Sequence, residues 1–250
     1  MSAERAVPAA PSLPDTALVA DRLAGLRQRM TSVGVDPARI EVVAVTKGFP
    51  PEVVGVATGA GLHLLGENYA QDLLSKVAWL GDQPSPPTVA ARRVDRPAGG
   101  VQWHFIGRLQ RNKVRQLTPH MACFQSVDRS ELVDELGRRA PGCRLLVQVN
   151  TTGEAQKGGC RPDDVGGLVD RAMAAGLMVE GLMTVGPTAP AIDPAPSFGL
   201  LRRLVDRLGL QTCSMGMTDD LEIAVREGST MIRVGRALFG PRPLRGDVGN

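Results

Sequence analysis

Aromatic side chains are scarce in this 250-residue chain: two Trp, five Phe and a single Tyr, at position 69. Any chemistry that needs a phenol has one to draw on. The four cysteines, Cys123, Cys143, Cys160 and Cys213, are far apart. There is no C-x-x-C and no nearby His at ligand spacing, which argues against a metal site and suits a reducing cytosol. The formal net charge is only +3 and no dense Lys/Arg run occurs, so nothing points to nucleic acid. No apolar run approaches the length of a membrane span, and Glu4 and Arg5 stand where a signal peptide needs an apolar segment. No G-x-G-x-x-G follows the first strand, which weakens a dinucleotide site. No internal repeat at a fixed period is present.

What is present is alternation. The length allows two small domains or one α/β barrel, whose usual size is about 250 residues. Residues 1–14, rich in Ala and Pro, read as a flexible tail, and 243–250 as a second one. Residues 15–242 read as a single barrel, interrupted by a Pro/Gly-rich loop at 81–100. From Asp15 to Ser32 apolar residues recur at helical spacing, with Asp15 as N-cap and Gly34 as stop. Val42-Val43-Ala44-Val45 is an apolar run closed by Gly48 and Pro50-Pro51, a strand buried on both faces. Further strands are expected at 62–65, 101–106, 121–126, 144–149, 178–183, 211–214 and 230–234. Helices are expected at 51–60, 70–80, 110–117, 130–139, 162–175, 198–208 and 221–227, the last capped by Thr218-Asp219-Asp220, and a short turn at 236–240. Eight strands alternating with helices predict an α/β fold, a single closed (β/α)8 TIM barrel rather than an open sheet.

In such a barrel the chemistry sits at the C-terminal strand ends. Lys47 follows strand one. It is either a snorkelling surface residue or an amine in a partly dry site, able to form a Schiff base. Glu67, Asn68 and Tyr69 follow strand two, Gly107 and Arg108 strand three, Asn150 and Thr151 strand five, and Met183 and Thr184 strand six. The loops after strands seven and eight bring Ser214, Met215, Gly216, Gly235 and Arg236 to the place where barrels hold phosphate. Those glycines either serve tight turns or let backbone N–H groups reach an anion. Arg233 interrupts an apolar strand and needs an acceptor, either a carboxylate such as Glu222 or a pyridine nitrogen. His104 is either a core histidine or faces a ligand. Arg108, Arg111, Lys113 and Arg115 form a basic cluster, either a solvated face or a surface for handing a ligand on. A phosphate site opposite a buried lysine suggests pyridoxal 5′-phosphate (PLP).

Several blocks resemble the YggS/PROSC family of PLP homeostasis proteins. They are Val43-Ala44-Val45-Thr46-Lys47, Gly66-Glu67-Asn68-Tyr69, Trp103-His104-Phe105-Ile106-Gly107-Arg108 and Ser214-Met215-Gly216-Met217-Thr218-Asp219-Asp220. Gln148-Val149-Asn150, Lys157-Gly158-Gly159, Gly181-Leu182-Met183-Thr184 and Arg233-Val234-Gly235-Arg236-Ala237-Leu238-Phe239-Gly240 complete the set. The resemblance runs from about residue 15 to 242. It implies a barrel of the alanine racemase N-terminal-domain type (PLP fold type III), with PLP as a Schiff base on Lys47. It implies cofactor contacts from Asn68, Met183, Ser214, Met215, Arg233, Gly235 and Arg236, with Arg233 near the ring nitrogen and no metal. Gly48 departs from the family, which usually carries Thr or another side chain there. The implied role is buffering and delivery of PLP by a cytoplasmic monomer. Its partners would be PLP and PLP-dependent apo-enzymes, with no nucleic acid and no membrane. An amino-acid racemase is the alternative. Racemisation needs a second base, and Tyr69 is the only tyrosine; the chain also ends soon after strand eight, where racemases carry an added β-domain. A barrel aldolase with Lys47 as its own Schiff base fits the spacing but not the blocks.

Overall fold

Each apolar run bounded by Gly or Pro becomes a strand, and all eight strands pair in parallel. The computed structural model describes residues 13–83 and 100–242. Expectations for 1–12, most of the 81–100 loop and 243–250 lie outside the described residues. The strands are β1 (Glu41–Val45), β2 (Leu64–Glu67), β3 (Gln102–Phe105), β4 (Met121–Val127), β5 (Arg144–Gln148), β6 (Met178–Met183), β7 (Thr212–Ser214) and β8 (Met231–Val234). They form a closed barrel in chain order, with β1 against β8 from Glu41–Met231 to Ala44–Val234. The helices are α1 (Thr16–Ser32), α2 (Val53–Gly59), α3 (Ala70–Gly81), α4 (Val114–Leu117), α5 (Ser130–Arg139), α6 (Val165–Ala174), α7 (Ala195–Arg207), α8 (Leu221–Arg226) and α9 (Arg236–Phe239). This is the expected (β/α)8 architecture with one extra helix ahead of β1.

That extra helix is written in the sequence. Asp15 Oδ1 accepts from the Leu18 amide at 2.7 Å, a cap contributing about 1 kcal/mol. Val19, Leu23, Leu26 and Met30 are buried, each contributing roughly 1.5–3 kcal/mol. Their stripe lies against α2, α8 and α9 and so braces the seam where β8 meets β1.

Several boundaries move. The second strand starts at Leu64 rather than Leu62, because the Leu62 amide still closes α2 by bonding Ala57 O. Gly61, at φ +79°, makes that turn. The shift carries Glu67 into the strand. Residues 111–117 split into a 3-10 turn, Arg111–Lys113, and a single turn of α-helix. The 162–175 helix begins at Val165, and the 198–208 helix begins earlier, at Ala195, with proline in its first turn, where no N–H bond is lost. The proposed cap on α8 is corrected. Asp220 occupies the N-cap position, but its Oδ1 accepts backwards from the Met217 amide at 2.6 Å and makes no capping bond.

Side chains alternate across the barrel wall. Ala44, Leu65, Trp103, Phe124, Leu145, Val147, Leu182, Cys213, Ile232 and Val234 pack outward against the helices. Val43, Leu64, Cys123, Leu146, Met183 and Met231 fill the barrel interior. Met183 therefore sits in the apolar plug rather than among the side chains lining the mouth.

Candidate functional site

Above that plug the interior turns polar. Gln125 of β4, Ser214 of β7, Arg233 of β8 and His104 of β3 are all buried. Gln125 Nε2 donates to His104 Nδ1 at 2.7 Å, and Ser214 Oγ donates to Gln125 Oε1 at 2.8 Å. Arg233 donates to Ser214 Oγ at 2.7 Å and to the Thr184 carbonyl at 2.6 Å. The chain of bonds orients the Ser214 hydroxyl: its proton goes to Gln125 and its lone pair receives Arg233. A hydroxyl committed in this way does not project toward a phosphate, and Ser214 is not among the residues lining the cleft above it. Met215 points the other way, into the outer core beside the Cys213 thiol.

Arg233 has no carboxylate partner among the described residues. The suggested Glu222 partner belongs to Arg29 of α1 instead, at 2.5 and 2.8 Å. Burial lowers Arg233 to about 10, opposed weakly by Asp220. It therefore remains a cation at neutral pH, with donors left over for a group in the mouth. His104 makes its contact with the neighbouring strand, and burial, helped by Arg144, lowers it from 6.5 to about 3. A pH dependence follows. Between pH 6.5 and about 3 the unfolded chain holds a proton that the native chain does not. Native stability should therefore fall as pH drops through this window, with a slope approaching 1.4 kcal/mol per pH unit, about the value for one proton. Urea midpoints should decline more steeply for the wild type than for His104→Gln; parallel slopes would mean that His104 is not held neutral.

The mouth itself is a cleft of about 580 Å³. Lys47, Asn68, Arg233, Gly235 and Arg236 line it, so five of the eight expected contacts come together. Lys47 is partly buried. Burial lowers its amine below the usual lysine range, and Arg242 and Arg233 add to this while Glu67 opposes them. Asn68 contributes an amide oxygen that is buried without a partner. Gly235 is required by contact: a Cβ there would stand 2.9 Å from the Val45 carbonyl. The Arg236 side chain is exposed and paired with Asp219, so what it offers the cleft most directly is backbone at the start of α9.

Among the other lining residues, three polar side chains stand outside the expected contacts: Thr218, Asp219 and Arg242. Thr218 and Asp219 follow β7, where their sequence context suggests only a helix cap. Arg242 gave no signal; it lies beyond the last element and its side chain folds back over Gly48, with Cδ 3.1 Å from where a Cβ would stand. Gly48 has φ +76°, a conformation that L side chains rarely adopt. The departure at this position therefore has a backbone reason, and Arg242 occupies the space. A second cavity of about 530 Å³ shares Asn68 with the cleft and is lined by Tyr69, Arg108, Gln110 and Lys113. It takes two members of the basic cluster, and it takes the only tyrosine away from Lys47.

An eight-stranded parallel barrel with a lysine at the end of β1 and a cationic mouth defines a class. Residues 38–243 match the family described as "Alanine racemase, N-terminal domain". An alanine racemase from Corynebacterium glutamicum shares the fold with a TM-score of 0.63 at 15% identity, covering 93% of this chain and 62% of that one. The pyridoxal phosphate homeostasis protein of Pseudomonas aeruginosa is 38% identical over 232 residues, covering 90% of this chain and 94% of its own. PipY of Synechococcus elongatus, solved with PLP bound, superposes with a TM-score of 0.72 at 30% identity, covering 89% of this chain and 100% of that one. The chain belongs to the family of pyridoxal phosphate homeostasis proteins.

Proposed function

We propose that this protein binds PLP in the barrel mouth, with Lys47 as the covalent attachment point, and that it buffers and delivers the cofactor. The observation carrying this reading is the juxtaposition of a partly dried amine, Lys47, with Arg233, Arg236 and Arg242 around one cleft of about 580 Å³. The residues fit the group. The depressed amine is the nucleophile an aldehyde requires. Arg242 and the Gly235–Arg236 turn suit a phosphate dianion. The unpartnered Asn68 oxygen leaves a polar contact to be filled. Arg233 keeps donors beyond those given to Ser214 and Thr184; offered to a ring nitrogen, and having no proton-accepting role, it would keep that nitrogen unprotonated. Bound PLP supplies an aldehyde for condensation with an amine and a ring that withdraws electrons. The printed names of the relatives, and PLP in the PipY structure, support the same assignment.

The reading favours a carrier over a racemase. Racemisation needs a base on each face of a carbon. Among the described residues, the cleft lining besides Lys47 holds one carboxylate, Asp219, which is tied to Arg236. Tyr69 lines the neighbouring cavity. The proposal extends to PLP-dependent apo-enzymes as recipients, to a monomer and to a cytoplasmic setting, the last on the ground of widely spaced cysteines in thiol form. No helix among the described residues is long and apolar enough to cross a membrane.

The test is spectroscopic. Protein mixed with PLP should show a visible band that borohydride bleaches, and the reduced label should map to the peptide containing Lys47. A label elsewhere would overturn the assignment. Loss of the α-proton of L-alanine to deuterium at enzymatic rates would replace the carrier by an enzyme.

A further inference from the structure

A buried ion pair lies against Thr46, the residue before Lys47. Glu67, at the end of β2, is 0% exposed and Lys76, on α3, is 1% exposed. Lys76 Nζ bonds Glu67 Oε1 and also donates to the Thr46 carbonyl at 2.8 Å. Thr46 Oγ1 donates to the same Glu67 oxygen at 2.7 Å, and the Thr46 amide donates to Gly66 O at 3.0 Å. Every polar group of Thr46, the residue before Lys47, is thus tied to β2 or α3.

Two charges in a dry interior are a costly way to hold a barrel together. A well-packed apolar pair often serves stability as well or better. What an apolar pair cannot do is anchor a carbonyl and keep a negative charge near an amine. Glu67 Oε2 is buried with no hydrogen-bond partner among the described residues, so one carboxylate oxygen is not used up by the pair. The charged groups acting on Lys47 are Arg233 of β8, Arg242 beyond α9 and, with the opposite sign, Glu67. Those acting on Glu67 are Lys76 and Asp72, both from α3.

We propose that Glu67 and Lys76 are positioning residues for Lys47: their ion pair pins the Thr46–Lys47 peptide and holds a carboxylate near the amine, setting its proton balance. This rests on the reading of Lys47 as the attachment point and deepens it. For Nζ to attack an aldehyde carbon, the ammonium first gives one proton to solvent. The nitrogen lone pair then forms the C–N bond, and the carbonyl oxygen leaves as water while a C=N bond replaces C=O. Burial, with Arg242 and Arg233, favours the free amine of Lys47. Glu67 pulls the balance back toward the ammonium.

The test reads the amine without any cofactor. Full-length, cofactor-free protein is labelled competitively with acetic anhydride across a pH series, and Lys47 is quantified by peptide mapping. In the charge-neutral double variant Glu67→Gln with Lys76→Met, the labelling midpoint of Lys47 should fall by about one pH unit, hence about tenfold more reactive amine below the wild-type midpoint. The midpoint of Lys113, which lines the neighbouring cavity, should not move. Should the double variant fail to fold, Glu67→Gln alone must lower the midpoint too, since it removes the same charge. Superimposable Lys47 profiles overturn the proposal. Borohydride trapping of wild-type protein runs alongside: if PLP is trapped on Lys47 yet the profiles coincide, the cofactor reading stands and the positioning role falls. If PLP is not trapped on Lys47, the cofactor reading falls, and the labelling result alone decides whether Glu67 sets the amine.

Discussion

Lys47→Ala protein should carry no borohydride-stable cofactor and should bind PLP at least about a hundredfold more weakly, about 2.7 kcal/mol. The expected loss is large because the covalent bond has no substitute. Among the described lining residues no other primary amine borders the cleft. What remains is the ionic and hydrogen-bonding contribution of Arg233, Arg242 and the Gly235–Arg236 turn, which should still hold the cofactor weakly. The fold should survive, because removing an amine that burial disfavours relieves a desolvation cost. Lys47→Arg sharpens the test: it restores the charge but not the nucleophile, so it should match Lys47→Ala in covalent labelling. Equilibrium dialysis and intact-mass measurement after reduction check both. A Lys47→Ala protein that binds within a few-fold of the wild type would remove the lysine from the centre of the site.

The second large effect is expected at Gly107, within the Trp-His-Phe-Ile-Gly-Arg block. A Cβ on Gly107 would stand 2.0 Å from the Asn68 carbonyl oxygen and 2.5 Å from the Asn68 Cα. Both are backbone atoms of a residue that lines the cleft, so no rotamer change relieves the clash. Gly107→Ala should cost about 3 kcal/mol or more, the upper end for overpacking. It should also weaken PLP binding, because the Asn68 backbone must move. Gly61→Ala is the matched control. Gly61 has φ +79° and open space around it, so its substitution strains the backbone by about 1 kcal/mol and leaves the cleft untouched. Denaturant melts with PLP titrations on both variants separate a clash at the site from backbone strain away from it. Equal losses of stability and unchanged binding would argue that Gly107 serves only the turn.

The legible part of this protein is the part dictated by neighbours in the chain. Short apolar runs closed by Gly or Pro announced most strands, whereas β7, Thr212–Ser214, is too short to announce itself and is expected only within the eightfold alternation. The Asp15 cap and the apolar stripe of α1 announced the extra helix. Lys47 was legible because a lysine directly after an apolar run is a local conflict, and Gly235 and Arg236 because they follow the last strand. Ser214, Met183 and Met215 were placed at the right strand ends, but strand-end position does not say where a side chain points. One-residue alternation sends Met215 to the outer core. Met183 and Ser214 are register partners on β6 and β7, yet Met183 packs into the apolar interior while Ser214 bonds Gln125 and Arg233.

From the sequence alone came the eightfold alternation, the parallel barrel, the lysine and the cationic loop at the far side of its mouth. These depend on local periodicity and on chain order, which are written residue by residue. Only the tertiary structure decided that Arg233 answers to Ser214 rather than Glu222, that Gln125 sets the direction of that hydroxyl, and that Arg242 folds back over Gly48. It alone set Lys76 and Glu67 against Thr46, the residue before Lys47. These pairs join residues on different elements, from Glu67 and Lys76 on β2 and α3 to Gln125 and Ser214 on β4 and β7, and their meeting depends on strand register and helix docking, which no local pattern carries.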